Sequence, residues 1–245
     1  MRYLVLSDIH GNVHALDAVL EAAVATCDHV LVLGDLVGYG ADPNGVIDRI
    51  RALDPLAVIR GNHDKVAAGV EPADDFNAMA RQAAQWTAAA LTAANREYLR
   101  TLPAGPTSIG DRFEICHGSP ADEDQYIFDA GDAAVAFEAV QRPLCLFGHT
   151  HLPVVFVRDR RGLHGLVPGP ESSVLEVEPD SLYLVNPGSV GQPRDGDPRA
   201  AFGVVDDEAG FVEIRRVEYR VDLAQAAIHA AGLPAALAHR LAAGR

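Results

Sequence analysis

Five clusters along the chain hold residues of the types that bind metal ions: Asp8 and His10, Asp35, Asn62 with His63 and Asp64, His117, and His149 with His151. Each follows a four-residue apolar run of the kind that forms a buried strand: Tyr3 to Leu6, Val30 to Leu33, Leu56 to Ile59, Phe113 to Cys116 and Leu144 to Phe147. In open α/β sheets, ligands collect outside the carboxyl ends of the strands, so these clusters are expected to converge. The D-x-H and H-x-H spacings put two side chains on one side of an extended chain, whose side-chain period is two. Together Asp8, His10, Asp35, Asn62, His117, His149 and His151 offer more ligands than one ion takes and suit two ions that share a bridging carboxylate. A pair of ions about 3.5–4 Å apart stabilises both the attacking and the leaving oxygen of an in-line displacement at phosphorus. Two aspartates, two divalent ions and a hydroxide leave about one positive charge in such a pocket, which attracts a monoanionic phosphoester.

The whole chain is acidic, with 20 Lys and Arg against 34 Asp and Glu and a net charge of −14. That field repels a nucleic-acid duplex and anionic lipid, so small substrates are favoured over polyanions. The first apolar run is too short for an export signal or a membrane span. Cys27, Cys116 and Cys145 are widely spaced and contain no CxxC pair; they read as reduced core thiols, which suits a cytoplasmic protein. Phosphate-loop, dinucleotide, zincin and hydrolase-elbow motifs are absent from the sequence.

The elements that position the clusters follow from periodicity. Leu16, Val19, Leu20 and Ala23 form a helical stripe that Asn12 can cap, and Val46, Ile47 and Ile50 form another after Pro43 and Asn44. Strand, helix and strand then read as βαβ units. Beyond residue 150, runs at Val154 to Val157, Ser173 to Val177, Leu182 to Val185, Phe202 to Val205 and Val212 to Ile214 have no helices between them and indicate antiparallel meanders. The expected fold is a four-layer α/β/β/α sandwich of two mixed sheets flanked by helices, one domain over residues 1–245. A helical insert is expected over residues 72–102, where Phe76, Met79, Ala83, Trp86 and Ala90 recur at helical spacing. The stripe reads as core, while the insert's place between His63 and His117 lets part of it overhang the site. Residues 222–245 read as a tail of two short helices broken at Gly232-Leu233-Pro234, Arg158 to Arg161 as a hairpin tip, and residues 186–190 as a turn supporting the second sheet. His14, His29, His164, His229 and His239 fall outside the pattern and read as surface or satisfied core residues.

In their order, the blocks DIH at 8–10, GD at 34–35, GNHD at 61–64, HG at 117–118 and GHTH at 148–151 resemble those of the calcineurin-like metallophosphoesterase superfamily. The longer runs SDIHGN, GDLVGYG, RGNHD, HGSP and NPGSVGQPRD look like its small bacterial, YfcE-like phosphoesterase branch. The resemblance implies that Asp8, His10 and His151 hold one ion, that Asn62, His117 and His149 hold the other, and that Asp35 bridges. It implies further that His63 faces the substrate phosphate and protonates the leaving oxygen or stabilises its charge, with Asp64 orienting its ring. The activity implied is hydrolysis of small phosphodiesters, with phosphomonoesters as a second class, through a hydroxide bridging two ions; manganese leads, with iron, zinc, cobalt and nickel also admitted by the ligand set. Where protein phosphatases of this superfamily carry an arginine after GD, this chain has Gly38 and Tyr39, which argues against protein dephosphorylation. Asn12, Arg60 and Arg194 are candidate anion contacts, although salt bridging is the commoner role for the two arginines. A non-catalytic scaffold of the same fold and a nuclease are the rival readings. Retention of His63 and all seven ligand positions weighs against the first, the net charge against the second.

Overall fold

The structure is a computed structural model that describes residues 1–245. Its N-terminal part alternates β1 (Arg2–Leu6), α1 (Val13–Ala23), β2 (His29–Val32), α2 (Pro43–Ala52) and β3 (Ala57–Val58), followed by α3 (Asn62–Ala68), α4 (Ala78–Ala90) and α5 (Ala93–Thr101). Next come β4 (Thr107–Ile109), β5 (Phe113–Ile115), α6 (Ala130–Ala136) and β6 (Leu144–Leu146). The run β7 (Val154–Asp159), β8 (Gly162–Leu166), β9 (Ser173–Glu176), β10 (Leu182–Asn186), β11 (Ala200–Asp206) and β12 (Phe211–Val217) precedes α7 (Val221–Ala230) and α8 (Ala235–Ala243). The strands form two six-stranded mixed sheets, ordered β3-β2-β1-β11-β12-β9 and β4-β5-β6-β10-β7-β8. In the first, β1 runs parallel to β2 and β2 to β3; in the second, β5 runs parallel to β6. The strands that lead into the ligand clusters therefore all end at the same edge of their own sheet.

Strand alternation sorts the apolar residues into layers. Tyr3 and Val5 of β1 face the other sheet and pack with Leu31, Ile115, Leu146 and Val185. Leu4 and Leu6 point the opposite way, onto Leu16 and Val19 of α1 and Val46 and Ile50 of α2. The outer face of the second sheet, with Cys145, Phe147, Phe156 and Leu184, is covered by Ala133, Ala136 and Phe137 at α6. Period two thus divides each strand between an inter-sheet core and a helix layer, the α/β/β/α order expected of the sequence. Asn12 caps α1 by accepting from Ala15 N, and Asp42 caps α2, where Pro43 occupies the first turn and needs no N–H partner.

The insert holds α4 and α5, capped by Asn77 and Thr92. Met79 and Trp86 pack beside Ala80, Ala83, Leu237 and Leu241, so the stripe is core shared with the C-terminal helices. Three elements gave little signal in advance: β4, β8, whose GLHGL sequence is mostly exposed, and α6, a seven-residue Ala-rich segment started by the Asp129 cap. The turn between β7 and β8 holds Arg160 and Arg161, as expected of the basic run. Cys27, Cys116 and Cys145 are free thiols, and no helix is long and apolar enough to cross a membrane.

Leu16, fully buried between α1 and the first sheet, tests the helix layer. Leu16→Ala is expected to lower unfolding free energy by about 2–5 kcal/mol, the cost of a core cavity, measured as a shift in the denaturant midpoint at constant slope.

Candidate metal centre

The ligand clusters sit on the loops that leave the parallel strands, and their backbone is not extended. Asp8, His10, Asp35, His149 and His151 adopt φ of 53°, 50°, 53°, 68° and 61°. The period-two argument for D-x-H and H-x-H therefore does not apply; the paired residues meet through left-handed turns. Such conformations cost non-glycine residues on the order of 1–3 kcal/mol each and persist only where the surroundings over-determine them. The surroundings here are a hydrogen-bonded lattice of loops. Asp8 N donates to Gly34 O, His10 N to Asp35 O, Gly148 N to His117 O, and Val190 N and Gly191 N to Ser7 O and Asp8 O. Gly34, at φ 97°, lets three loops close: a Cβ there would lie 2.7 Å from Gly61 N and 2.8 Å from His117 Nδ1.

Six of the seven expected ligands fall into two buried groups, Asp8, His10, Asp35 and His151 in one and Asp35, His117 and His149 in the other, with candidate ligand atoms within 4.8 Å of one another in each. Asp35 belongs to both. Its Oδ2 lies 3.5 Å from His10 Nε2 and 3.5 Å from His117 Nε2, while Asp8 Oδ1 lies 3.5 Å from His151 Nε2. Asn62, the seventh, begins α3 and has a buried Oδ1 with no hydrogen-bond partner.

Whether these residues fit a metal is decided by where their protons are. His10 Nδ1–H donates to Val37 O at 3.0 Å and His151 Nδ1–H to Gln192 O at 2.6 Å; a carbonyl only accepts, so in the neutral rings both Nε2 atoms are lone pairs. Those lone pairs face each other at 3.0 Å. His117 Nδ1–H donates to Leu33 O at 2.7 Å, and its buried Nε2 has no hydrogen-bond partner. His149 Nε2–H donates to Asp124 O at 3.1 Å, leaving Nδ1 as the lone pair. Ligating histidines are oriented in this way, by giving the other N–H to a carbonyl. Opposed lone pairs, orphaned acceptors and two carboxylates out of water fit divalent cations of the borderline class that takes imidazole, carboxylate and amide oxygen together.

Burial controls the charge states. It holds His10 and His151 well below the ordinary imidazole range, His149 at about 3 and His63 at about 4, so these rings are neutral at neutral pH. Burial also raises Asp8 to about 6. On His117 its downward push is outweighed by the Asp35 and Asp8 carboxylates, which raise the ring to about 10. Asp35 is the converse: its burial is outweighed by His117, His63 and His10, and its carboxyl is held well below the usual range. The shared carboxylate is thus the charge around which the cluster is arranged.

The remaining candidates divide. His63, on the first turn of α3, lies against the rings of Tyr39 (4.4 Å between centroids), Phe76 (4.6 Å) and His10 (4.9 Å), with a buried, unpartnered Nδ1. Asp64 does not touch that ring. Its carboxylate accepts from Val37 N at 3.2 Å and Gly61 N at 3.0 Å, because consecutive helical residues point apart, and it orders the turns beside the ligands instead. Asn12 is committed elsewhere as well: besides capping α1 it donates to Gly191 O at 2.9 Å and Tyr219 Oη at 3.3 Å, so its amide is a brace rather than a free anion contact. Arg60 pairs with Glu123 at 3.0 and 2.8 Å. Arg194 has no carboxylate partner. It donates to Gln192 Oε1 at 2.9 Å, stands 5.7 Å over the Tyr39 ring and has a buried, unpartnered Nε.

The end of β10 and the residues that follow it do more than turn the chain under the second sheet. Asn186 Nδ2 donates to Gly148 O (2.7 Å) and Thr150 Oγ1 (3.0 Å), Ser189 Oγ donates to Asp8 O (2.7 Å), and Gln192 O receives the His151 proton. This strap ties the β1 and β6 loops together. The available signal was a polar cluster, NPGSVGQ, following an apolar run just as the ligand clusters do. A third acidic group, Glu71, Glu123 and Asp124, already surrounds a cation: Lys65 Nζ lies 3.1, 3.2 and 2.6 Å from them.

Candidate ligands drawn from five loops would make cation binding a stability term. A thousandfold excess of Mn2+ over its Kd is expected to stabilise the fold by about 4 kcal/mol, read as a rise in Tm that a chelator reverses. Asp35→Asn, which removes the carboxylate common to both groups, is expected to abolish most of that rise.

The calcineurin-like phosphoesterase superfamily domain model matches residues 1–210. An uncharacterized protein of Methanocaldococcus jannaschii is 36% identical over 98% of this chain and 97% of its own length. Among solved structures, a metallophosphoesterase from Sphaerobacter thermophilus superposes with a TM-score of 0.90 at 42% identity, covering 100% of this chain and 99% of that one. A hypothetical protein from Pyrococcus horikoshii gives 0.81 at 24% identity, covering 100% and 98%. With two mixed sheets that bring the His and Asp clusters to one buried centre, and a family model spanning most of its length, this chain belongs to the calcineurin-like phosphoesterase superfamily.

Proposed function

We propose that the protein hydrolyses small phosphodiesters, with phosphomonoesters as a second class, using two divalent ions of which manganese is the first candidate. Asp8, His10 and His151 hold one ion, Asn62, His117 and His149 the other, and Asp35 serves both. The observation that carries this reading is the pair of buried ligand groups meeting at Asp35, with the Nε2 lone pairs of His10 and His151 opposed at 3.0 Å. When bound, such ions lower the pKa of water toward neutrality and offset charge on the phosphoryl oxygens.

The chain's own groups do the rest. His63, neutral and flanked by Tyr39 and Phe76, offers a ring N–H as a hydrogen bond to the leaving oxygen and stabilises the charge that develops there as the P–O bond breaks. Asp64 fixes the Gly61 and Val37 backbones on either side of it. Arg194, without a carboxylate to neutralise it, offers its guanidinium to a phosphoryl oxygen, the role for which planar, charge-assisted donors are suited. The cleft that contains Asn62, His63 and His149 encloses about 220 Å3. That is below the roughly 300–1,000 Å3 of drug-sized pockets and favours a small ester over a folded phosphoprotein. The free thiols support a reducing, cytoplasmic setting.

Metal analysis of the purified protein, followed by turnover of aryl mono- and diesters, cyclic nucleotides, phosphopeptides and DNA, tests the reading. Small diesters are expected to lead; a metal-loaded protein inert on every ester would refute it. His63→Ala is expected to keep its metal content and lose about 10²–10³ in kcat, the loss of one donor to developing charge. Arg194→Ala is expected to raise KM for an anionic diester more than it lowers kcat, by steady-state kinetics at low ionic strength.

A further inference from the structure

Helix α3 carries a lysine whose ammonium is out of water. Lys65 is 1% exposed, and its Nζ lies 2.6 Å from Asp124 Oδ2, 3.2 Å from Glu123 Oε1 and 3.1 Å from Glu71 Oε2. Lysine is almost never buried unless it is paired, and apolar side chains of similar volume often stabilise such a place as well or better. What charge-assisted bonds supply instead is direction: they fix where the carboxylates, and the backbone that carries them, stand relative to the helix.

Asp124 connects this lysine to the metal centre. Its carbonyl accepts the Nε2–H of His149 at 3.1 Å, and Tyr126, two residues on, lies on the same ring with centroids 3.8 Å apart and planes 18° from parallel. The segment between β5 and α6 thus begins near one candidate ligand, His117, and orients another, His149. Asn62, the third of that group, stands on the first turn of α3. Two cations flank it in the chain: Arg60, which holds Glu123 through two hydrogen bonds, and Lys65, which holds Asp124. Glu71, which follows α3, pairs with Lys65 alone. The other ligand group is oriented from elsewhere, since His10 and His151 give their protons to Val37 O and Gln192 O on different loops.

We propose that Lys65 is a positioning residue for one ion of the pair: by gripping the Asp124 side chain it docks the β5–α6 loop on α3 and so sets Asn62, His117 and His149 against one another, without acting on the ion held by Asp8, His10 and His151. The inference rests on the two-ion reading of the centre and adds the contact that orders one of its ligand groups. Partners that orient a metal ligand are worth about 10–100-fold in metal affinity.

The test is calorimetric titration of the chelator-treated protein with Mn2+, with His149→Ala identifying which of two binding steps belongs to its group. Lys65 itself is left in place, because its removal would bring three carboxylates face to face and create a cation site of their own. Asp124→Ala and Glu71→Ala each take one carboxylate from Lys65 and change the local charge equally, but only the first frees the peptide that orients His149. Asp124→Ala is expected to weaken the His149 step by about 10–100-fold and the other step by less than about twofold, and Glu71→Ala to leave both within about twofold. Asp124→Asn, whose amide oxygen still accepts from Lys65, is expected to recover most of the loss. With two equivalents of Mn2+ the wild type is expected to give the electron paramagnetic resonance spectrum of a coupled pair, and Asp124→Ala that of isolated ions. Equal losses in the two alanine variants, no loss in either, a loss shared by both steps, or no recovery with Asp124→Asn overturns the role of Lys65. Those outcomes leave the two-ion reading standing as long as the wild type shows two steps; a wild type with one step or none overturns both.

Discussion

Asp35 holds a buried negative charge at the junction of two sheets, and much of the structure answers the need to surround it. His10 approaches it from the β1 loop and His117 from the β5 loop. His63 N donates to its other oxygen from the start of α3 at 2.9 Å. An isolated carboxylate in such a place would neutralise itself by taking a proton. Here the neighbouring imidazoles overcome burial and keep it ionised. The same concentration of lone pairs is a repulsion that a bound cation would relieve, which would couple fold to cation affinity.

Holding that arrangement takes rigidity from three directions. The inter-sheet core of Tyr3, Val5, Leu31, Ile115 and Leu146 sets how far apart the two sets of loops begin. Left-handed backbone at Asp8, His10, Asp35, His149 and His151 then turns the side chains inward, at a conformational cost that only a tightly bonded environment sustains. The strap of Asn186, Ser189 and Gln192 provides that environment by bonding to Gly148, Asp8 and His151. Carbonyls of Val37, Gln192 and Asp124 each take one proton of a neutral imidazole, so His10, His151 and His149 present a defined lone pair, while Leu33 O orients the His117 ring that the Asp35 and Asp8 carboxylates hold charged. Around the centre stand Tyr39, itself at φ 56°, and Phe76 against His63, Tyr126 over His149, and Arg194 without a carboxylate partner.

The sequence by itself determined the layers and the inventory of the centre. Apolar runs of four suffice for β1, β2, β5 and β6, and the helical stripes between the first three for the parallel order of β1, β2 and β3; the parallel order of β5 and β6 comes from the structure. Residue chemistry at those ends names the His and Asp groups that the structure gathers into two buried clusters. Only the tertiary structure decided how these groups are used. Whether Asn12 braces or binds, whether Asp64 bonds His63 or the Gly61 turn, and whether Arg60 or Arg194 is left unpaired depend on partners far away in the chain: Tyr219, Val37, Glu123 and Tyr39. The same holds for the D-x-H and H-x-H pairs, whose spacing suggests an extended chain but whose convergence comes from positive φ held by other loops. Local sequence encodes periodicity and residue type, because both act over a few neighbours; the pairing of buried polar groups is settled by the whole packed structure, where an unsatisfied donor or acceptor costs more than any local preference.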